Sequence, residues 1–275
     1  MRDMAFTRPK IMGILNVTPD SFSDGGRNAD LDSAVKKALA LIDEGADIID
    51  IGGESTRPGA EDVSIKEEIR RTVPVIAALR EAMRDLDSEP LISIDTRKPN
   101  VAEAAIHMGA DIWNDVTALT YDPRSEAIAA DLACPLILMH IQGSPATMQN
   151  NPVYGDTVGD IKNWLARRID AADFAGIERR NITIDPGIGF GKTLGDNLSL
   201  LANLESFKTL GCPILMGTSR KSFIGKIDGS VVDDRLGGSL ASALWSAANG
   251  ADILRAHDVA ETVQALKVWE ALENG

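Results

Sequence analysis

Short apolar runs alternate with longer segments of helical periodicity along the whole chain. Eight of these runs are rich in Ile, Leu and Val and nearly continuous, which is typical of parallel strands buried on both faces. They lie at residues 11–17, 47–52, 91–95, 111–116, 136–140, 182–185, 214–217 and 252–256. The pattern therefore predicts eight buried parallel strands.

The segments between these strands carry the signals of helices. One apolar stripe, with a kink expected at Pro74, is formed by Ile65, Ile69, Val73, Ile76 and Leu79. The last segment has a second stripe formed by Val259, Val263, Leu266, Trp269 and Leu272. Asp258 and Glu261 stand three positions apart at its start, as in a capping box.

The tripeptide Gly-Ala-Asp occurs at 45–47, 109–111 and 250–252, each time between a helical segment and a predicted strand. A glycine at this place is typical of a helix end followed by a short loop. Eight strand–helix units predict an α/β fold, a (β/α)8 barrel, with residues 1–275 as one domain. The alternative is a doubly wound open sheet. In a barrel, the functional residues lie at the carboxyl ends of the strands.

Composition and charge exclude several classes of protein. Hydrophobic residues make up 44% of the chain, enough for a sizeable core, and the net charge of −13 argues against nucleic acid as the main partner. The sequence has neither an apolar run of membrane-spanning length nor the apolar core of a signal peptide, so we expect a cytoplasmic protein. Cys134 and Cys212 each precede a proline and an apolar run, which predicts buried free thiols.

Polar residues are concentrated where the predicted strands end. Cations and hydroxyls that suit a polyanion such as a phosphate ester are Thr56, Arg57, Ser219, Arg220, Lys221, Ser222, Arg255 and His257. Acceptors that suit a heterocycle rich in N–H donors are Asp95, Asn114 and Asp185. Asn16 and Asp24 offer oxygen ligands of the kind that Mg²⁺ prefers. Taken singly, Asp185 before a proline and Asp24 before two glycines could equally be turn residues.

The glycine-rich segment 187–192 has neither the Walker spacing nor the dinucleotide pattern. We expect it to be a flexible loop that presents Phe190.

Eight motifs in chain order closely resemble those of the dihydropteroate synthase family of pterin-binding enzymes. They are ILNVTPDSFSDGG, GGESTRPGA, SIDTRKP, NDVTAL, LMHIQGSPATMQ, DPGIGFGKT, GTSRKSFIG and RAHDV. The resemblance implies a (β/α)8 barrel that joins 6-hydroxymethyl-7,8-dihydropterin pyrophosphate to 4-aminobenzoate, with Mg²⁺, giving 7,8-dihydropteroate and pyrophosphate in folate biosynthesis. It also implies a homodimer built on the last helices, where the small-residue run 237–250 allows close contact or serves ordinary packing.

The resemblance implies a role for one or more residues of each motif. Residues that would hold the pterin are Asp95, Asn114, Met139, Asp185, Lys221 and Arg255. Residues that would hold the pyrophosphate are Asn16, Thr56, Arg57, Ser219, Arg255 and His257. The Mg²⁺ ligands would be Asn16 and Asp24. Residues that would form the 4-aminobenzoate pocket are Phe22, Pro58, Phe190, Arg220 and Ser222. The groups closest to the chemistry would be Asp24, Asp95, Lys221, Arg255 and His257.

The chemistry implied by the resemblance is dissociative and S_N1-like. Pyrophosphate leaves first, and the neutral amine of 4-aminobenzoate then attacks without a strong base. Asp24 would orient this amine or bind the metal. Because sulfonamides resemble aminobenzoate, and because Phe22 and Pro58 are present, we expect the protein to be sensitive to them.

Two rival functions remain. A methyltransferase acting on methyltetrahydrofolate with a corrinoid protein would share the acceptor residues but would have no use for the TRPG and SRKS segments. A catalytically silent pterin-binding paralogue would typically have lost a residue such as Asn16, Asp24, Arg57 or Lys221, all of which are present.

Overall fold

The structure is a computed structural model that describes residues 8–18, 26–55, 62–84, 86 and 89–273, with only the backbone described at 26–29. Eight strands occur in this part of the chain, each close to its predicted place. They are β1 (Lys10–Asn16), β2 (Ile48–Gly52), β3 (Leu91–Asp95), β4 (Ile112–Asp115), β5 (Leu136–Met139), β6 (Ile182–Asp185), β7 (Leu215–Met216) and β8 (Ile253–Ala256).

All strand pairs are parallel, and the strands follow the order β6-β5-β4-β3-β2-β1-β8-β7. The two ends of this order meet, because a parallel bridge joins Ile184 of β6 to Ile214, just before β7. The backbone N–H of Ile184 donates to the carbonyl of Pro213 over 2.9 Å at the same place. The sheet therefore closes on itself, which confirms the (β/α)8 barrel, and the alternative of a doubly wound open sheet is wrong.

Helices follow the strands around the outside of the barrel. Those in the described residues are α1 (Gly26–Asp43), α2 (Ile65–Ala82), α3 (Pro99–His107), α4 (Ser125–Leu132), α5 (Thr157–Phe174), α6 (Leu194–Ala202), α7 (Ser222–Asp228), α8 (Leu236–Ala248) and α9 (Val259–Glu273). Among these helices, none is both long enough and apolar enough to cross a membrane.

The barrel interior changes from apolar to polar along its axis. The end near the strand starts is filled by one cluster of apolar side chains, formed by Met12, Ile48, Leu91, Ile112, Ile137, Leu215 and Ile253. Because alternate strand residues point inward, the next positions on three strands also face the interior, and these are Asp50, Ser93 and Asn114. Thr183 of β6 faces the interior beside Ile137. All four are buried. A layer of polar side chains therefore lies between the apolar cluster and the carboxyl end of the barrel. This polar layer is called the floor of the barrel mouth below.

Helix α2 departs from its predicted stripe. Ile76 and Leu79 are buried as expected, but Ile65 is 40% exposed, and Glu68 is buried in its place. The Glu68 carboxylate is needed inside, because it accepts hydrogen bonds from Lys98 Nζ and from the Thr96 hydroxyl, each over 2.6 Å. The helix continues through Pro74, which is exposed.

The other local predictions were partly confirmed. In α9, Val259, Val263 and Leu266 are buried, whereas Leu272 is 77% exposed, so the predicted stripe is wrong at its end. Asp258, the residue predicted to cap this helix, lies directly before α9, and its carboxylate accepts hydrogen bonds from the guanidinium of Arg220. The thiols of both cysteines are free and buried, as predicted.

Candidate active site

The predicted site residues in the described part of the chain lie where the strands end. On the strands themselves are Asn16, Asp95, Asn114, Met139, Asp185 and Arg255. In the loops and helix starts that follow β6, β7 and β8 are Phe190, Ser219, Arg220, Lys221, Ser222 and His257. Five predicted site residues lie outside the described residues: Phe22, Asp24, Thr56, Arg57 and Pro58.

Arg255 joins two carboxylates across the floor of the barrel. Its Nε donates to Asp50 Oδ2 over 2.6 Å, and its Nη2 donates to Asp95 Oδ2 over 2.8 Å. Asp50 also accepts a hydrogen bond from Asn114 Nδ2 over 3.2 Å. Asp50, Asp95, Asn114 and Arg255 therefore form one connected polar group, in which Arg255 is the only cation.

Asp95 presents an oxygen that no group of the described residues satisfies. Its Oδ1 is buried and has no hydrogen-bond partner in the structure. Burial, together with the nearby charge of Asp50, raises the pKa of Asp95 to about 7. Leaving a buried acceptor unpaired costs about 1–3 kcal/mol, so this oxygen is suited to an N–H donor on a ligand.

Asp185 is a second acceptor at the same end of the barrel. Its Oδ1 accepts the backbone N–H of Gly187 over 2.7 Å. Burial raises the pKa of this carboxyl, although that hydrogen bond and the positive charge of Lys221 oppose the shift.

Lys221 brings a cation to the acceptors. Its Nζ lies 4.1 Å from the centre of the Phe190 ring, within the range of a cation–π contact. Desolvation, together with the charge of Arg255, lowers the pKa of Lys221 to about 8, while Asp185 and Asp95 partly oppose the shift. A ligand bound beside this contact would therefore meet an aromatic ring from the loop after β6 and a cation from the loop after β7.

The turn between β7 and α7 directs the side chains of its two neighbouring cations, Arg220 and Lys221, to different places. Arg220 has a φ of 55°, a left-handed conformation that is strained for a residue with a side chain. Its N–H donates to the Ser239 hydroxyl over 2.8 Å, and its carbonyl accepts from Arg235 Nη1 over 3.1 Å. The Arg220 guanidinium is bound to Asp258 rather than to the acceptor group around Asp95. These contacts hold the turn, so that Lys221 points to Phe190 while Arg220 points to α9.

Ser219 and His257 contact each other across the barrel mouth. The Ser219 hydroxyl oxygen accepts the backbone N–H of His257 over 3.1 Å and lies 3.1 Å from His257 Nδ1. Burial and the charge of Arg255 lower the pKa of His257 to about 4, so the ring is neutral at pH 7. The neutral ring keeps one N–H donor, on Nδ1 or Nε2 according to its tautomer.

The glycine-rich loop after β6 is held on several sides, which contradicts the expectation of a flexible loop. The ammonium of Lys192, which is almost fully buried, donates to the carbonyl of Phe190 over 2.9 Å and contacts His140 Nδ1 over 3.0 Å. Burial lowers the pKa of Lys192 to about 7. A Cβ on Gly187, whose φ is +73°, would lie 2.0 Å from the His140 carbonyl oxygen. Glycine is therefore required here for close approach.

A second charge cluster, largely buried, joins Glu54 and Asp62, which flank residues 56–61 in the sequence, to Arg97 and Lys98 after β3. Lys98 Nζ donates to Glu54 over 2.7 Å and to Glu68 over 2.6 Å. Arg97 pairs with Glu54 over 3.1 Å and with Asp62 over 2.6 Å, on the far side of residues 56–61. Although burial acts to raise the pKa of Glu54, its hydrogen bonds to Lys98 and to the Val63 N–H lower the pKa overall. This cluster ties together the two described ends of the segment between β2 and α2.

Asp50, Lys192 and His140 are site residues that the sequence analysis did not select. Asp50 has a recognisable signal, because it is a charged residue inside the otherwise apolar strand Ile48–Gly52. Lys192 carries no local signal, since a lysine after a glycine-rich loop is ordinarily exposed.

The fit of Mg²⁺ can be tested at Asn16. This side chain is exposed at the carboxyl end of β1, and its Oδ1 lies beside Gly52, where no side chain takes up space. The described residues contain no group of three or more His, Cys, Asp or Glu side chains that could hold a metal ion. One amide oxygen fits Mg²⁺, which usually keeps water and substrate phosphate oxygens as its other ligands.

Comparisons with known proteins agree with this geometry. The family model described as pterin binding enzyme matches residues 12–257. A dihydropteroate synthase from Synechocystis sp. is 49% identical over 266 residues, which cover 96% of this chain and 90% of the relative.

Two solved structures have the same fold. The Xanthomonas albilineans dihydropteroate synthase with 4-aminobenzoic acid has a TM-score of 0.90 and 47% identity, covering 98% of this chain and 94% of that chain. The Yersinia pestis dihydropteroate synthase in a sulfonamide drug complex has a TM-score of 0.90 and 43% identity, covering 98% and 96%.

The closed barrel and its acceptor-lined end define an enzyme class that binds a donor-rich heterocycle at the ends of its strands. The chain belongs to the pterin binding enzymes and, within them, to the family of dihydropteroate synthases.

Proposed function

We propose that this protein joins 6-hydroxymethyl-7,8-dihydropterin pyrophosphate to 4-aminobenzoate and releases 7,8-dihydropteroate and pyrophosphate. The observation that carries the proposal is the buried, partnerless oxygen of Asp95, which stands level with Asn114 in the β3–β4 register. The N–H groups of a pterin ring would pair with these acceptors and with Asp185.

The acceptor group also suits the charge that develops in the reaction. When the bond between the pterin methylene carbon and the pyrophosphate oxygen breaks, its electron pair leaves with pyrophosphate, and positive charge spreads over the pterin. Asp95 and Asp185 offer negative charge and accept ring N–H groups, so they stabilise this state. The amine of aminobenzoate then forms the new C–N bond and loses a proton to solvent.

Residues around the turn after β7 would bind the leaving group. Ser219, after β7, contacts His257, after β8, and the charge of Arg255 acts on the His257 ring, which is neutral at pH 7. Asn16 would hold Mg²⁺ together with Asp24, and the ion, when bound, would neutralise charge on pyrophosphate. Thr56 and Arg57 complete the predicted anion site.

Aminobenzoate would bind beside Phe190, with Phe22, Pro58, Arg220 and Ser222 as the predicted neighbours. Ser222 begins α7. We propose that sulfonamides bind at the same place. They should inhibit in competition with aminobenzoate, and a sulfonamide whose inhibition does not weaken as aminobenzoate increases would contradict this site.

Pyrophosphate release tests the proposed reaction directly. The assay supplies the pterin pyrophosphate and Mg²⁺, with and without 4-aminobenzoate, to the wild type and to Lys221→Ala. Lys226→Ala is the matched control, because Lys226 is an exposed lysine on α7. We expect release with dihydropteroate formation in the wild type and the control, and a collapse in Lys221→Ala.

Two other results would each contradict the synthase. Tight pterin binding without any release would identify a silent binding protein. Methyl transfer from methyltetrahydrofolate to a corrinoid acceptor would identify the rival methyltransferase.

The proposal includes a homodimer built on α8 and α9. Large apolar side chains are exposed there, with Trp245 at 52% and Val268 at 58%. Val268→Asp should shift the protein from dimer to monomer in light scattering, whereas Phe174→Asp, at a phenylalanine that is 96% exposed on α5, should leave the dimer intact. A wild-type monomer at micromolar concentration would contradict the dimer. A cytoplasmic location is part of the same proposal and is tested by cell fractionation.

A further inference from the structure

Asp50 lies below the proposed pterin pocket and does not line it. In the strand register it is level with Ile14 and Ser93, one inward-facing position below Asp95, and its side chain is fully buried. A ligand on the floor of the barrel mouth would meet Asp95 and Asn114 before it could reach Asp50. Any influence of Asp50 on the ligand must therefore pass through the side chains that it contacts.

The first of these contacts fixes the direction of the Asn114 amide. Its Nδ2 lies 3.2 Å from Asp50 Oδ2 and 3.4 Å from Asp50 Oδ1. A carboxylate accepts hydrogen bonds and repels a carbonyl oxygen, so the nitrogen must face Asp50 and the oxygen must face away from it. A buried asparagine without such a neighbour could present either group to a ligand.

The second contact fixes Arg255. Its Nε is held by Asp50 and its Nη2 by Asp95, so the guanidinium spans the two levels of the floor. With Nη2 on Asp95 Oδ2, the other Asp95 oxygen remains partnerless. Asp50 therefore supports both acceptors that stand above it.

We propose that Asp50 is a positioning residue that turns the Asn114 amide oxygen toward the substrate, so that the pocket offers an acceptor, not a donor, to the ring at this position. The inference rests on the proposed function and deepens it by assigning the basis of specificity. Replacing Asp50 by an uncharged group would let the Asn114 amide rotate. The rotated amide would present its NH2 group to an N–H group of the ring. Two donors would then face each other, and binding would weaken.

A double-mutant cycle on pterin binding tests this coupling. The probe is 6-hydroxymethyl-7,8-dihydropterin, which has the ring N–H groups of the substrate but lacks the pyrophosphate, and its dissociation constant is measured by calorimetry. Asp50→Asn should weaken binding about tenfold, the scale of one mispaired buried hydrogen bond. The same change in an Asn114→Ala background should have a clearly smaller effect, because no amide remains to be misdirected and only the contact through Arg255 to Asp95 is disturbed. Equal factors in both backgrounds would overturn the proposal.

Ser93→Ala is the matched control. Ser93 stands beside Asp50 in the register, is fully buried, and its hydroxyl has no hydrogen-bond partner. Its removal should leave pterin affinity unchanged. Thermal unfolding checks that each variant is folded, and Asp50→Ser carries the same cycle if Asp50→Asn does not fold.

The pH dependence of pterin affinity gives a second test, because a purely structural role of Asp50 would not change it. The charged groups around Asp95 are Asp50, Arg255, Glu68, Asp115 and Lys221. Because the charge of Asp50 raises the pKa of Asp95, pterin affinity in Asp50→Asn should fall at a lower pH than in the wild type. An unchanged midpoint in the folded variant would count against the proposal.

The outcomes separate this inference from the proposed function. A wild type that binds no pterin and forms no dihydropteroate would remove the proposed function itself. A wild type that does both, with an Asp50→Asn variant that binds pterin as tightly as the wild type, would remove only the role of Asp50.

Discussion

The ammonium nitrogen of Lys221 lies 4.1 Å from the centre of the Phe190 ring. The two residues come from different loops, after β7 and after β6, and each loop is held by its own contacts. Their contact therefore joins a predicted pterin residue to a predicted aminobenzoate residue.

Phe190→Leu should raise the KM for aminobenzoate about three- to tenfold, because leucine keeps the apolar bulk but removes the aromatic face beside Lys221. The dissociation constant of 6-hydroxymethyl-7,8-dihydropterin should change much less. Steady-state kinetics and calorimetry measure the two quantities. Phe174→Leu, at an exposed phenylalanine, is the control and should behave as the wild type. An equal loss for both ligands would contradict the assignment of Phe190 to the aminobenzoate side.

Lys192→Met should change how stability depends on pH. Burial lowers the pKa of Lys192 to about 7, so above this value the unfolded chain holds a proton that the folded protein has lost. Stability from this group therefore rises with pH from about 7 to about 10, with a slope of up to about 1.4 kcal/mol per pH unit. Lys221, with a pKa lowered to about 8, contributes in the same direction.

Urea unfolding at pH 7 and pH 9 measures that slope. Lys192→Met should lose this contribution and keep that of Lys221, so its free energy of unfolding should rise less with pH than that of the wild type. Lys226→Met, at an exposed lysine, should keep the wild-type slope. A slope that is unchanged in Lys192→Met would show that this lysine is protonated in the folded protein.

Glu68→Gln should destabilise the protein by about 3 kcal/mol, because it leaves the buried ammonium of Lys98 without one of its two carboxylates. Glu68 and Lys98 are buried and 2.6 Å apart. Glu81→Gln is the matched control, since the Glu81–Arg84 pair on the same helix is largely exposed and should be worth about 0.5 kcal/mol or less. Similar losses for the two variants in urea unfolding would rule out a special role for the buried cluster.

Removal of Mg²⁺ should abolish dihydropteroate formation while leaving the binding of 6-hydroxymethyl-7,8-dihydropterin intact. The ion is proposed to act on the pyrophosphate, and this ligand has none. Chelation with EDTA followed by addition of Mg²⁺ should restore the activity. Turnover that persists in the chelator would contradict the proposed metal, and loss of pterin binding would move the ion to another part of the site.

Much of the barrel could be predicted from the sequence. Strands covered by helices outside and packed inside are apolar along their whole length, and this pattern recurs eight times. Asp95, Asn114, Asp185 and Lys221 could also be selected, because polar residues at the ends of buried strands break that pattern. Helix α2 could not be fully predicted, since its buried Glu68 is explained by Lys98 and Thr96 on another segment.

The order of amino acids was enough to predict the eight strands, the places where they end, and the motifs of the family. These depend on local composition and order along the chain. The tertiary structure alone decided that Asp50 supports Asn114 and Arg255, that Arg220 turns away to Asp258, and that Lys192 is buried against Phe190. Each of these contacts joins residues from different segments, so the direction of a side chain and its charge state depend on neighbours that only the closed barrel brings together.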